Sequence, residues 1–202
     1  SVLAGLERFT GISADYWDRA NLRINEARFA KELLRDQRKT VGRVDSRFVG
    51  DAINHIGEMF NYDPYMAAVG PAFIAAFNDY YREQLGVKTD RKYVTSGNLW
   101  RKWDDSHAQP GTGHYGKVPI ANTAVDLNHA MIQNPKLRVL VQQGYYDLAT
   151  PYGATQYFLD HMDLPDELRD NITTEYYEAG HMMYIHPDSM RKFSRTLAEF
   201  IR

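Results

Sequence analysis

Residues 121–202 alternate between helical and strand-like patterns, and this alternation limits the possible folds of the chain more than any other feature. The successive helix and strand patterns occupy residues 121–135, 137–144, 151–162, 171–180 and 187–202. The first strand pattern contains the uninterrupted apolar run Val139-Leu140-Val141, which is typical of a strand covered on both faces. Helices that alternate with strands predict a parallel sheet with helices packed against it. We therefore expect this part of the chain to be the end of an α/β domain.

Helical patterns predominate before residue 86. Ser13 is a candidate N-cap, and residues 25–36 repeat apolar side chains at helical spacing. Residues 39–51 alternate valines with glycines, which predicts a short strand or a hairpin interrupted by turns. Residues 64–85 predict a long amphipathic helix whose apolar stripe packs against a core.

The sequence between residues 86 and 120 is mostly polar. Residues 93–100 fit a strand, and residues 101–119 fit a long loop rich in turn residues. Four side chains here are of types that bind metals, namely Asp104, Asp105, His107 and His114. Because no two of them have the spacing of a recognised metal site, we expect a solvated loop and no metal.

The composition excludes several classes of partner. With 24 basic and 26 acidic residues, the formal net charge is −2, so neither nucleic acid nor an anionic membrane is an expected partner. No apolar run approaches the roughly 18 residues that a membrane-spanning helix needs. The chain contains no cysteine, which excludes disulfides, thiolate metal sites and a cysteine nucleophile.

Two polar side chains follow the two predicted strands of the α/β region. Asp147 comes shortly after the strand pattern at 137–144, and His181 comes directly after the pattern at 171–180. In open α/β sheets the working residues lie beyond the carboxyl ends of the strands. The order and separation of the two residues match those with which the α/β-hydrolase fold completes a nucleophile, acid and histidine triad. In a triad the carboxylate accepts the Nδ1 proton of the imidazole, while Nε2 takes the proton of the nucleophile.

Other interpretations of these residues remain open, and the nucleophile is missing. Asp147 could instead satisfy backbone N–H groups in its turn, and His181 could be a hydrogen-bonded core imidazole. A Gly-x-Ser-x-Gly turn should precede the acid. The serines before Asp147, none of which has glycines two positions away on both sides, are Ser1, Ser13, Ser46, Ser96 and Ser106. We interpret Ser46 and Ser96 as strand or turn residues.

Four stretches resemble the C-terminal half of bacterial proteins in the serine carboxypeptidase family, a branch of the α/β hydrolases. They are KELLRDQRKTVGRVDSRFVGD, WRKWDDSH, VQQGYYDLATPYGATQYFLDHM and EYYEAGHMMYIH. The resemblance implies that residues 1–85 are a mainly helical lid insertion and that residues 86–202 are the C-terminal part of an α/β-hydrolase core. It also implies a periplasmic or secreted protein that needs no cofactor.

The same resemblance implies roles for individual residues. Asp147 and His181 correspond to the catalytic acid and histidine, and the serine of the family has no matching position here. Met182 is expected to line the substrate pocket, although core packing is an equally good interpretation, and Tyr146 is also predicted to bind substrate. Met183-Tyr184 stands where commoner members have Val-Pro, and Glu178 stands where a small or amide residue is frequent. These departures leave the assignment of His181 intact.

The predicted function is the hydrolysis of peptides through an acyl-enzyme by a serine carboxypeptidase that is inactive without its N-terminal part. That part of the same precursor would carry the catalytic serine and bind noncovalently as a partner, because a sheet of about three strands would otherwise leave apolar edges uncovered. Another serine hydrolase or an acyltransferase on the same fold is one alternative. A non-catalytic binding module that kept the fold is the other.

Overall fold

The computed structural model describes residues 2–95, 97–111, 117–119 and 122–202. These residues form two compact units, and the chain passes between them several times. The first unit comprises Ser1–Phe77, Gln143–Tyr152 and Tyr176–Arg202, and the second comprises Asn78–Gln142 and Gly153–Glu175. The division into a lid up to residue 85 and a hydrolase core from residue 86 stays a prediction.

The described residues contain eight α-helices and four short strands. The helices are α1 (Val2–Thr10), α2 (Ala14–Arg19), α3 (Glu26–Glu32), α4 (Pro64–Asp79), α5 (Thr123–Gln133), α6 (Tyr152–Asp160), α7 (Asp166–Arg169) and α8 (Pro187–Ile201). The strands are β1 (Lys39–Val41), β2 (Val49–Asp51), β3 (Val139–Gly144) and β4 (Ile172–Tyr177). None of the helices in the described part of the chain is long and apolar enough to cross a membrane.

The first three helices enclose a small apolar core in the first unit. Ile12, Tyr16 and Trp17 are buried at its centre, where α1 and α2 meet. Ser13 caps α2 as predicted, because its hydroxyl accepts a hydrogen bond from the backbone N–H of Tyr16 at 3.2 Å. Asn25 caps α3 in the same way through Arg28. The helical prediction for this region is confirmed.

Strands β1 and β2 form an antiparallel hairpin that also belongs to the first unit. Lys39 pairs with Asp51 and Val41 pairs with Val49, so the predicted hairpin is confirmed. Residues 42–48 form the connection between the two strands. Gly42 is required there, because a β-carbon at this position would lie 2.4 Å from the carbonyl oxygen of Asp45.

Helix α4 confirms the predicted helix but not the predicted packing of its apolar stripe. Met66 and Phe73 are each about half exposed, at 50% and 49% of their full accessibility, whereas Tyr65 is fully buried. The expectation that this stripe packs in a core is therefore wrong for this chain. The spacing of apolar residues identifies the apolar face of a helix, but it does not identify what covers that face.

The second unit has its own apolar core. Met131, Met162 and Leu164 are buried there, and the partly buried residues packed around them come from α5, α6, α7, the first residues of β3 and β4, and Leu137 just before β3. The strand predicted at residues 93–100 is wrong for the described residues of that segment: Asn98 has a left-handed backbone with φ of 51°, and Leu99–Arg101 is a 3₁₀ turn. Ser96 lies outside the described residues.

Strands β3 and β4 form a two-stranded sheet. The backbone N–H of Val139 donates to Asn171 near the start of the strands, and that of Tyr145 donates to Tyr177 just past their ends. Because the partner numbers rise together, the strands are parallel, as the sequence pattern predicts. The assignment of this sheet to an α/β-hydrolase fold stays a prediction.

Candidate active site

The loops after β3 and β4 carry Asp147 and His181, and both residues belong to the first unit. Because the two strands are parallel, their carboxyl ends lie at the same edge of the sheet. The backbone N–H of Tyr146 extends the pairing past the strands by donating to Ala179 at 3.0 Å. This continuation brings the two loops side by side.

A hydrogen bond joins the two predicted site residues. His181 Nδ1 lies 2.8 Å from Asp147 Oδ2. The carboxylate is buried, with 4% of its side chain exposed, whereas 49% of the imidazole is exposed. An imidazole whose Nδ1 is bonded to a buried carboxylate, and whose ring is half exposed, has the arrangement in which Nε2 can transfer protons.

Asp147 has further donors that fix its orientation. Its Oδ1 accepts from the backbone N–H groups of Ala149 at 2.7 Å and Thr150 at 2.9 Å. The Thr150 hydroxyl donates to Oδ2 at 2.7 Å and lies 3.2 Å from His181 Nδ1. Asp147 therefore satisfies backbone groups in its turn and also contacts His181, and its role as a catalytic acid stays a prediction.

A third segment of the site, which was not predicted from the sequence, is residues 43–47, and we call it the bracket. Two of its residues contact the Asp147 loop: the Arg43 carbonyl accepts from Leu148 N–H at 3.1 Å, and Ser46 N–H donates to the Tyr146 carbonyl at 2.9 Å. Its remaining residues contact the loop of His181. The bracket thus joins both loops from one side.

Three contacts connect the bracket to the His181 loop. The Val44 carbonyl accepts from the backbone N–H of His181 at 2.8 Å. Asp45 accepts from the backbone N–H of Gly180 at 3.0 Å. Arg47 Nη1 donates to the carbonyl of Glu178 at 2.6 Å. The backbone of this loop is therefore held at three of its four residues from 178 to 181.

Asp45 and Arg47 form an ion pair inside the bracket. Arg47 Nε lies 3.0 Å from Oδ1 and Nη2 lies 2.7 Å from Oδ2, so the contact is bidentate. The hydrogen bonds to Asp45 raise the pKa of the Arg47 guanidinium above its ordinary value. The Asp45 side chain is 1% exposed and that of Arg47 is 31% exposed. The sequence does contain a signal for this pair, namely an Asp-x-Arg spacing in the connection between two valine-containing strand patterns.

Tyr146 and Met182 lie in the same two loops. The Tyr146 hydroxyl donates to Glu178 at 3.1 Å, and this hydrogen bond to a carboxylate raises the pKa of the phenol. The guanidinium carbon of Arg47 lies 5.2 Å from the Tyr146 ring centroid. Met182 is partly buried, and its sulfur accepts from the Tyr65 hydroxyl at 2.8 Å. Their predicted roles in substrate binding stay predictions.

No serine within the described residues forms a hydrogen bond with His181. Ser13 caps α2, and Ser46 contacts the Asp147 loop through its backbone. Ser1 and Ser96 lie outside the described residues. Within the described ranges, the Asp147–His181 pair is therefore present without a serine side chain bonded to the imidazole.

Elsewhere in the described part of the chain, no group of three metal-binding side chains could hold a metal ion. His107 Nε2 instead lies 2.9 Å from both carboxylate oxygens of Asp126 in the second unit. His114 of the predicted loop lies outside the described residues.

Comparison with known proteins identifies no relative of this chain. No family model, no curated protein and no solved structure matches the chain.

Proposed function

We propose that this chain is the C-terminal part of a serine carboxypeptidase of the α/β-hydrolase class, in which Asp147 and His181 serve as acid and histidine. The observation that carries the proposal is the 2.8 Å hydrogen bond between a buried carboxylate and a half-exposed imidazole. These side chains follow neighbouring parallel strands, which is where α/β enzymes place their reacting groups.

The chemistry assigned to the chain is proton transfer at His181 Nε2. This nitrogen accepts the proton of a serine hydroxyl while the serine oxygen forms a bond to the carbonyl carbon of the substrate. The imidazolium then gives the proton to the leaving amine, and an acyl-enzyme remains. Water attacks the acyl group by the same route and releases the acid. Asp147 holds Nδ1–H throughout and stabilises the imidazolium.

The serine is proposed to come from the N-terminal part of the same precursor, bound noncovalently as a partner. The exposed apolar face of α4, with Met66 and Phe73 about half exposed, supports a partner, because such faces are usually covered in stable proteins. The partner would also supply the amide groups that bind the oxyanion of the tetrahedral intermediate.

Labelling with a fluorophosphonate tests the activated serine. The chain is produced together with its upstream precursor segment, and the assembled protein is expected to take the label on the upstream segment. His181→Ala should abolish the labelling, because the serine then loses its base. His161→Ala is a matched control, since among the described residues this imidazole bonds to the carbonyl of Tyr157 in α6 and stacks on the Tyr157 ring. An assembled protein that never takes the label, or takes it equally in His181→Ala, would contradict the proposal and favour a binding module.

Peptides with free and with amidated C-termini test the carboxypeptidase assignment separately. A carboxypeptidase should release the last residue of the free peptide and leave the amidated peptide intact. Equal turnover of both peptides, together with fluorophosphonate labelling, would instead indicate another serine hydrolase. Transfer of the acyl group to an added amine in preference to water would indicate an acyltransferase.

A further inference from the structure

The Asp45–Arg47 ion pair lies behind the His181 loop and is not explained by the triad chemistry. Asp45 is buried and is 135 residues from Gly180 in the sequence, yet it binds the backbone of that residue. Buried ion pairs contribute little net stability compared with apolar packing, because both charges lose their hydration. Only the Asp45 side of this pair is buried, since the Arg47 side chain is 31% exposed, so its specific backbone contacts, rather than its stability, point to a role in fixing geometry.

The contacts of the pair determine the path of the chain into His181. Asp45 Oδ2 holds the N–H of Gly180, and the Val44 carbonyl beside it holds the N–H of His181. Two successive amides with fixed directions leave little freedom in the backbone torsions between them. Arg47 adds a third fixed point at the Glu178 carbonyl. These contacts therefore set the direction in which the imidazole leaves the backbone, independently of its hydrogen bond to Asp147.

The close approach of the segments makes this arrangement sensitive to small shifts. A β-carbon on Gly180 would lie 2.5 Å from the Asp45 β-carbon and 2.5 Å from the Val44 carbonyl oxygen. The loop therefore lies directly on the bracket. A displacement of the bracket must move the backbone of His181.

We propose that Asp45 and Arg47 are positioning residues that hold His181 in the orientation required for its hydrogen bond to Asp147. Their effect on catalysis rests on the proposed function, but their effect on the imidazole does not. The bidentate contact is essential for this role, because Arg47 must bind both oxygens of Asp45 and the Glu178 carbonyl simultaneously. A lysine ammonium cannot reproduce this planar arrangement of donors.

Nuclear magnetic resonance of the chain labelled with ¹⁵N-histidine provides a direct measurement. We expect the Nδ1–H of His181 to give a downfield proton signal that is protected from exchange with water, identified by its loss in His181→Gln. In Asp45→Asn the signal should disappear or broaden, because the ring no longer keeps one orientation. Asp51→Asn is the matched control: its carboxylate is exposed and contacts Lys39 in the same hairpin, so the signal should be unchanged.

Arg47→Lys is the second variant, in case Asp45→Asn does not fold. It retains the positive charge beside Asp45, and the signal should lose most of its protection while cooperative unfolding persists. Folded Asp45→Asn or Arg47→Lys protein with the wild-type signal would overturn the proposal. Failure of both variants to fold would also overturn it, because the pair would then support the whole unit rather than His181.

The assembled enzyme adds a test of catalysis. Asp45→Asn should slow fluorophosphonate labelling by about 100-fold, the typical effect of misplacing a reacting group by about 1 Å. The effects of substituting residues that act as a unit are not additive, so Asp45→Asn should slow labelling little further in an Asp147→Asn background. If the double variant instead loses labelling rate by the product of the two single factors, Asp45 does not act by positioning His181. If His181→Ala leaves labelling intact, the proposed function fails, whereas the resonance measurement still decides the role of the pair.

Discussion

Gly144 at the end of β3 lies so close to Gly180 that a β-carbon on Gly144 would be 2.3 Å from the Gly180 carbonyl oxygen. The same β-carbon would be 2.4 Å from the carbonyl oxygen of Ala179. Backbone atoms cannot rotate away as a flexible side chain does. Glycine at both positions therefore allows three segments of the site to meet, namely the end of β3, the His181 loop and the bracket.

Alanine at Gly144 or at Gly180 is expected to destabilise the first unit. Each added methyl group forces backbone segments apart, at a cost of about 1–3 kcal/mol or more. Urea denaturation followed by circular dichroism measures the effect. Gly153→Ala is the matched control, because this glycine lies in α6 and the added carbon would meet nothing within 4 Å apart from its chain neighbours and the backbone of its own helix. The control should be neutral or stabilised by up to about 1 kcal/mol. A Gly180→Ala variant as stable as the control would contradict the packing described here.

The sequence predicted most helices and the β3–β4 pairing because periodic apolar patterns are local properties of the chain. It also indicated that Asp147 and His181 would lie together, because both follow strands of one parallel sheet. The bracket could not be predicted in this way. Its contacts, such as Asp45 to Gly180, join residues 135 positions apart and depend on how the loops approach each other. The wrong strand at residues 93–100 has a related cause, since apolar β-branched residues indicate a strand only when another strand can pair with them.

Asp147→Asn is expected to impair both stability and chemistry. The carboxylate accepts from Ala149, Thr150 and His181. An amide group must direct its own N–H₂ at one of these donors, which leaves a buried group unsatisfied at a cost of about 1–3 kcal/mol. In the assembled protein the same change should slow serine labelling by roughly 10⁴-fold, because the imidazole loses its tautomer and orientation.

Asp160→Asn is the control for Asp147→Asn. Asp160 is an exposed carboxylate in α6 that accepts a hydrogen bond from Gln156 at 2.8 Å. Its replacement should change stability by no more than about 0.5 kcal/mol and leave labelling unchanged. Equal effects of the two substitutions would show that Asp147 has no special role.

Two buried tyrosines predict a loss of stability in alkaline solution. Burial raises the pKa of Tyr65 to about 12, and burial together with a hydrogen bond to Glu58 raises the pKa of Tyr16 to about 12. The unfolded chain titrates near pH 10, about the ordinary value for tyrosine. Between about pH 10 and 12 the folded state therefore binds more protons than the unfolded state. The stability that the two protonated phenols contribute is fully present below about pH 10 and is lost as the pH rises toward about 12.

Urea denaturation of the wild type and Tyr65→Phe at pH 8 and pH 11.5 tests this prediction. At pH 8 the variant should be less stable by about 1 kcal/mol, because it lacks the hydrogen bond from the hydroxyl to Met182. At pH 11.5 the difference should shrink or reverse, since the variant has no phenol to ionise at this position. A difference that is constant between the two pH values would contradict a raised pKa at Tyr65.

Arg35 is expected to hold the loop of residues 52–61 against α3. Its guanidinium donates to the carbonyls of His55 and Gly57, and it pairs with Glu32. The loop keeps Ile56 at 92% exposure, so apolar burial of that side chain does not hold the loop in place. Arg35→Ala leaves the two carbonyls without their charged donor and should destabilise this region by about 1–3 kcal/mol.

Hydrogen exchange locates the effect of Arg35→Ala within the chain. The Gly57 amide donates to the Asn54 side chain at 3.0 Å, so its protection should decrease in the variant while the amides of α8 keep theirs. Arg19→Ala is the matched control, because Arg19 pairs with Asp15 at the surface with both side chains more than two-thirds exposed. Surface pairs of this kind contribute at most about 1 kcal/mol, so the control should leave Gly57 exchange unchanged. Unchanged Gly57 protection in Arg35→Ala would show that the loop keeps its conformation without the guanidinium.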